Sequence, residues 1–201
     1  MRPEQITKNN AKYYAMSELA APNERVGYGD VTRQYRRFSE ITYFVGDMSS
    51  SVIDVGCGNG EMYQHLLSLG FDGSYIGVDV NQPLISEARQ RFPEVTFECA
   101  QLADLSEIVC DYTLLSGAFN FDYGQSLDDI KDTIRRMVDV SNRKAIFNGI
   151  GTNVNRVDEG TFYIDLWELC EWLEREFSLP IEVRHGFIAC NFTVSVSKTM
   201  A

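Results

Sequence analysis

Basic residues are scarce in this chain: 18 lysines and arginines stand against 29 aspartates and glutamates, a formal charge of −11. So acidic a surface argues against non-specific attraction to nucleic acid or to an anionic membrane. Histidine is nearly missing, with His65 and His185 the only two. The five cysteines (57, 99, 110, 170 and 190) include no Cys-x-x-Cys spacing. No zinc cluster and no disulfide framework follows from such a set, and an odd number of thiols reads as a reduced, cytoplasmic chain. No apolar run is long enough to span a membrane, and the start at Met1-Arg2-Pro3 lacks an apolar signal region. Repeats and low-complexity stretches are also lacking. What is present is 201 residues, 44% of them hydrophobic, enough for one domain with a full core.

The stretch Val52 to Gly60, Val-Ile-Asp-Val-Gly-Cys-Gly-Asn-Gly, organises the rest. Val52, Ile53 and Val55 make a β-branched run suited to a central strand buried on both faces. Gly56, Gly58 and Gly60 follow at alternate positions and lead into a helix from about Glu61 to Leu69. Alternating glycines let the backbone turn sharply and approach a ligand closely, at the positive end of a helix. A dinucleotide fingerprint needs glycine at its sixth position, and counting from Gly56 that position is Glu61. Asp79 closes the next expected strand, 21 residues after Gly58, where a carboxylate can accept hydrogen bonds from ribose hydroxyls.

Gly-x-Gly-x-Gly, with Asp54 two positions before it, resembles the first motif of class I S-adenosylmethionine-dependent methyltransferases. The resemblance implies Asp54 near the cofactor's amino-acid end and Gly56, Cys57, Gly58 and Gly60 passing beneath it. Asp79 serves an adenosine ligand in this family and in nicotinamide-binding proteins alike.

The remaining pattern alternates strands and helices. A helix over about Ile6 to Leu19 comes first. A second follows Tyr28-Gly29-Asp30 and buries Val31, Tyr35, Phe38, Ile41 and Val45 at helical spacing. Strands are expected at Tyr75–Val80, Val95–Cys99, Asp111–Ser116 and Lys144–Ile150. Helices are expected after Asn81-Gln82-Pro83, over Ser126–Val140 and over Tyr163–Phe177. Such alternation demands a parallel sheet with helices on both faces. Strands at Ile181–Phe187 and Asn191–Lys198 are too close for a crossover and must pair as an antiparallel hairpin. The fold class is thus α/β: a three-layer, doubly wound, seven-stranded sheet, mostly parallel, closed by an antiparallel strand. This resembles the Rossmann-like methyltransferase fold. One domain is expected over residues 1–201, with helices in 1–47 capping a core at 48–198.

Ligands of such sheets sit beyond the carboxyl ends of the strands. That edge carries Val80 after the second strand, Gln101 and Leu102 after the third and Ser116 after the fourth. In the resemblance Gln101 replaces an acidic residue that reads the adenine amino group. Ser116-Gly117-Ala118-Phe119-Asn120 has no prolines, unlike the Pro-Pro motif of methyltransferases that act on DNA base amines, and resembles the Ser-Gly-x-Phe-Asn run of small stand-alone methyltransferases. That resemblance carries cofactor binding but no substrate; the acceptor is read as a small molecule or a protein side chain, methylated on O or N, with S-adenosylhomocysteine as product.

Candidates for handling the acceptor are Asn120 and His185, although the parity of His185 with Ile181 and Val183 also reads as core. Asp122, Tyr123 and Asn148 are further polar candidates. Arg25, Arg33, Arg36 and Arg37 form the densest basic group. It reads as a solvated face or, at Arg37, as a clamp on a cofactor or substrate carboxylate. His65 reads as a surface residue. Rival readings are a non-catalytic cofactor-binding subunit and a nicotinamide-dependent oxidoreductase.

Overall fold

The computed structural model describes residues 30–106 and 108–198. The expected helix at Ile6–Leu19 and Arg25 lie outside them. The described elements run α1 (Val31–Thr42), β1 (Val52–Val55), α2 (Glu61–Ser68), β2 (Tyr75–Asp79), α3 (Gln82–Arg91) and β3 (Thr96–Cys99). They continue with β4 (Cys110–Leu115), α4 (Leu127–Val140), β5 (Ser141–Ile150), α5 (Leu166–Phe177), β6 (Ile181–His185) and β7 (Asn191–Ser197). None of these helices is long and apolar enough to cross a membrane.

The strands form one seven-stranded sheet in the order β3-β2-β1-β4-β5-β7-β6. Strands β1 to β5 pair in parallel, whereas β7 lies between β5 and β6 and is antiparallel to both. The strand order reverses direction at β1 and β4, the place where open α/β sheets bind ligands.

Each layer follows from local chemistry. Asp30 starts α1 by accepting the Thr32 and Arg33 N–H groups on Oδ1 at 2.8 and 3.4 Å. Asn81 caps α3 through the Leu84 N–H at 3.2 Å, and Pro83 stands in the first turn, where its missing N–H costs nothing. One core joins α4 and α5 to the sheet face carrying Ile53, Ala145, Phe147, Phe192, Val194 and Val196. The other joins α1, α2 and α3 to the opposite face, carrying Val52, Leu114 and Ile146. Ile41, Leu66 and Ile85 are fully buried there, each worth about 1.5–3 kcal/mol.

Several boundaries differ from expectation. β5 begins at Ser141, straight from the end of α4, because Ser141 is already extended and pairs with Cys110 beside a bulge in β4. α5 begins at Leu166, since Asp165 caps it through the Trp167 and Glu168 N–H groups. The residues before it are diverted into bridges, Phe121 with Thr161 and Gly151 with Ile164. β6 stops at His185, leaving five residues, 186–190, in the hairpin turn.

Candidate functional site

The end of β1 is shaped for close approach. Gly56, Gly58 and Gly60 have φ of 72°, 55° and 85°, a region that side chains disfavour. A Cβ on Gly56 would lie 2.7 Å from the Cβ of Ala118, so the loop after β1 runs against the loop after β4. Val78 O, one strand over, accepts both the Gly56 and Cys57 N–H groups, at 2.8 and 3.1 Å. Gly60 plays a different part: it begins α2 and backs onto the Phe92 ring.

Asp79 stands at the end of β2 with its carboxylate held by backbone donors. Oδ2 accepts from Gly58 N at 2.9 Å and Oδ1 from Asn81 N at 2.8 Å. Two oxygens have about four acceptor positions, so acceptor capacity remains for a ligand. Burial raises its pKa, and the N–H groups of Asn81, Gly58 and Val80 pull it back down. Asp54 is 1% exposed and accepts the Tyr75 hydroxyl at 2.6 Å. Burial pushes its pKa up to about 7, against the lowering effect of that hydroxyl and with a further push from the Asp79 charge.

Across the cleft, Asn148 on β5 secures the loop after β4. Its Oδ1 accepts the Gly117 N–H at 2.9 Å and its Nδ2 donates to Ser116 Oγ at 3.0 Å. Ser116 therefore keeps its own O–H to donate. The segment before α5 braces the same loop, with Phe162 N donating to Asn120 O at 3.0 Å and Asp122 N to Gly160 O at 2.9 Å.

These parts enclose a cavity of about 320 Å³. Asp54, Gly56, Cys57 and Gly58 line it from β1, and Asp79 and Val80 from β2. Gln101, Leu102 and Ser116 complete the expected set. Four named candidates lie elsewhere. Gly60 is turned to Phe92. Arg37 donates from Nε to Asn191 Oδ1 at 2.7 Å, tying α1 to β7, and does not line the cavity. Asn120 is buried behind the loop, outside the lining. His185 is exposed, because β6 is the edge strand and its parity does not bury it.

The surface reading of His65 is also corrected: it is buried between α1 and α2, with its Nε2 3.4 Å from Thr42 Oγ1 and the Tyr35 and Phe38 rings against it. Burial lowers its pKa. Arg33 pairs on the surface with Asp30 at 3.9 Å, and Arg36 reaches the buried Glu40 at 3.6 Å.

Sequence reasoning missed several lining residues. Gln34 and Phe38 enter from α1, Phe121 from the loop after β4, and Thr133 and Arg136 from α4, whereas Tyr123, beside Phe121, was among the expected polar candidates. Gln34 had a signal: it sits on the stripe completed by Phe38, Ile41 and Val45, where a polar residue at helical spacing marks a buried amide. Phe121 had none, since the bridge to Thr161 that sets its loop is non-local.

A family model described as a methyltransferase domain matches residues 52–144. Rv1506c of Mycobacterium tuberculosis, a protein named as a methyltransferase by inference, is 28% identical over 158 residues, 74% of this chain and 93% of its own. The trans-aconitate 2-methyltransferase of an Acidovorax species is 34% identical over 67 residues, 33% of this chain and only 26% of that enzyme. Among solved structures, magnesium protoporphyrin IX methyltransferase from Synechocystis PCC 6803 with bound S-adenosylmethionine shares the fold. The TM-score is 0.71 at 16% identity, over 99% of this chain and 98% of that one.

Proposed function

We propose that the chain is a class I S-adenosylmethionine-dependent methyltransferase, and that the cavity between the loops after β1 and β4 is where cofactor and acceptor meet. The observation that carries this reading is the pairing of Asp79 with Gly58: one carboxylate fastens the glycine loop and retains acceptor positions for a ribose. The residues fit the cofactor in other respects. Gly56 leaves no room for a side chain, and Val80 and Leu102 offer apolar surface beside Gln101 for a flat base. Cys57 and Gly58 supply backbone at the turn, and Asp54 stands behind it.

When bound, S-adenosylmethionine supplies an electrophilic methyl group on a sulfonium and departs as neutral S-adenosylhomocysteine. The chain's own part is to hold the acceptor in line and exclude water. The Ser116 hydroxyl, oriented by Asn148, donates a hydrogen bond into the cavity. The rings of Phe119, Phe121 and Tyr123 give the acceptor side an apolar wall. The acceptor is read as a small molecule or a protein side chain, methylated on O or N, and nucleic acid is disfavoured by the charge of −11.

Residues 1–47 are read as a cap on a core at 48–198, a division supported by the ties of α1 to β6 and β7: Glu40 with Arg184 at 2.6 Å and Arg37 with Asn191 at 2.7 Å. A cytoplasmic setting is supported by the five cysteines, all free thiols.

Ultraviolet cross-linking of methyl-labelled S-adenosylmethionine, followed by peptide mapping, tests the placement. Label in peptides spanning 54–60 or 115–123 is expected, and label confined to other peptides contradicts it.

A further inference from the structure

The roof of the cavity contains an unpartnered amide. Gln34 on α1 is 1% exposed, lines the cavity, and its Oε1 has no hydrogen-bond partner among the described residues. A buried carboxamide oxygen left unpaired is costly, and native structures rarely keep one without a use for it. Nor is α1 loosely placed. Glu40 meets Arg184 at 2.6 Å, Arg37 meets Asn191 at 2.7 Å, and the Tyr35 hydroxyl donates to Glu61 at 3.4 Å. The helix is thus fastened to β6, β7 and α2 at three points around Gln34.

Position in the fold says which part of a ligand Gln34 meets. Asp79 and Gln101 stand at the ends of β2 and β3, on one side of β1, while α1 is fastened to β6 and β7 on the other side. The inference rests on the cofactor placement above: with adenosine held by Asp79 and Gln101, Gln34 faces the far end of the ligand. A sulfonium has no hydrogen to give, so Oε1 requires an N–H or O–H donor. Of the two charged groups at that end of the cofactor, only the ammonium carries hydrogens, the carboxylate having none to give.

We propose that Gln34 is a cofactor-binding residue whose Oε1 accepts a hydrogen bond from the ammonium of the cofactor's amino-acid group. A ligand that keeps the adenosine and thioether but lacks that group should not sense Gln34 at all. The amide would also be kept at the expense of the ligand-free protein, because an apolar side chain of similar size would suit the roof better without ligand.

The test is calorimetric titration of wild type, Gln34→Met and Gln34→Leu with S-adenosylhomocysteine and with 5′-methylthioadenosine, alongside ligand-free melting. Affinity for S-adenosylhomocysteine should fall about 10-fold or more in both variants, while that for methylthioadenosine stays within about twofold. The ligand-free melting temperature should hold or rise. Unchanged S-adenosylhomocysteine binding, or a parallel loss for both ligands, overturns the inference and leaves the cofactor placement standing. A melting temperature lowered by both variants overturns it too, since the amide would then have a structural partner. A wild-type protein that binds neither ligand removes the placement and the inference together.

Discussion

Asp79 accepts the amide N–H of Gly58, 21 residues earlier in the chain, at 2.9 Å. The same carboxylate therefore shapes the glycine loop and, in the proposed site, carries the ribose. Asp79→Ala should weaken S-adenosylhomocysteine by about 100-fold or more, from the loss of two hydrogen bonds to a charged acceptor. The fold should survive at a cost of about 1 kcal/mol for the released backbone donors. Calorimetry and urea denaturation measure the two effects separately, and wild-type affinity in the variant would refute the ribose role.

Gly56→Ala should destabilise through two separable causes. Its φ of 72° costs an L residue about 1–2 kcal/mol, and its new Cβ would meet Ala118 at 2.7 Å. Adding Ala118→Gly should relieve the steric part alone. Thermal melting of the single and double variants checks this; full recovery in the double variant would mean that the backbone conformation costs nothing.

Asp54 makes stability depend on pH in the direction opposite to a salt-bridged carboxylate. Its pKa is raised from 3.8 to about 7, so its contribution is fully present below pH 3.8 and is lost as pH climbs through 7. The difference in unfolding free energy between wild type and Asp54→Asn should shrink by up to about 4 kcal/mol from pH 4 to pH 8. Urea denaturation across that range measures it. A difference that stays flat would mean the buried carboxyl ionises normally.

Thr193→Val and Ser195→Ala should be neutral or stabilising, by up to about 1 kcal/mol, because both hydroxyls are buried without partners among the described residues. Chemical denaturation decides this, and a loss above about 1 kcal/mol in either variant would reveal a bond that the geometry lacks.

Those two residues also mark where the sequence was misleading. The alternation of Phe192, Val194 and Val196 with Thr193, Ser195 and Ser197 resembles a strand with one wet face, yet every residue of β7 is buried. Insertion between β5 and β6, on a sheet face shared with α1, buries the polar side, and no local pattern encodes that. His185 failed for the opposite reason, since its strand turned out to be the edge. The glycine loop, Asp79 and the Asn81 cap were legible because their chemistry is local: backbone angle, a short polar cap, a carboxylate at a strand end. Gln34 was partly legible as the polar break in an apolar stripe. The Asn148 bridge to Ser116 and Gly117 was not, because it joins strands 31 and 32 residues apart in the chain.

The most direct measurement is calorimetric titration of the wild-type protein with S-adenosylhomocysteine and, in parallel, with NADH. Saturable binding of S-adenosylhomocysteine at one site per chain, with no heat from NADH, is the expected result. Binding of NADH, or of neither, would contradict the assignment of the cavity to a sulfonium nucleotide.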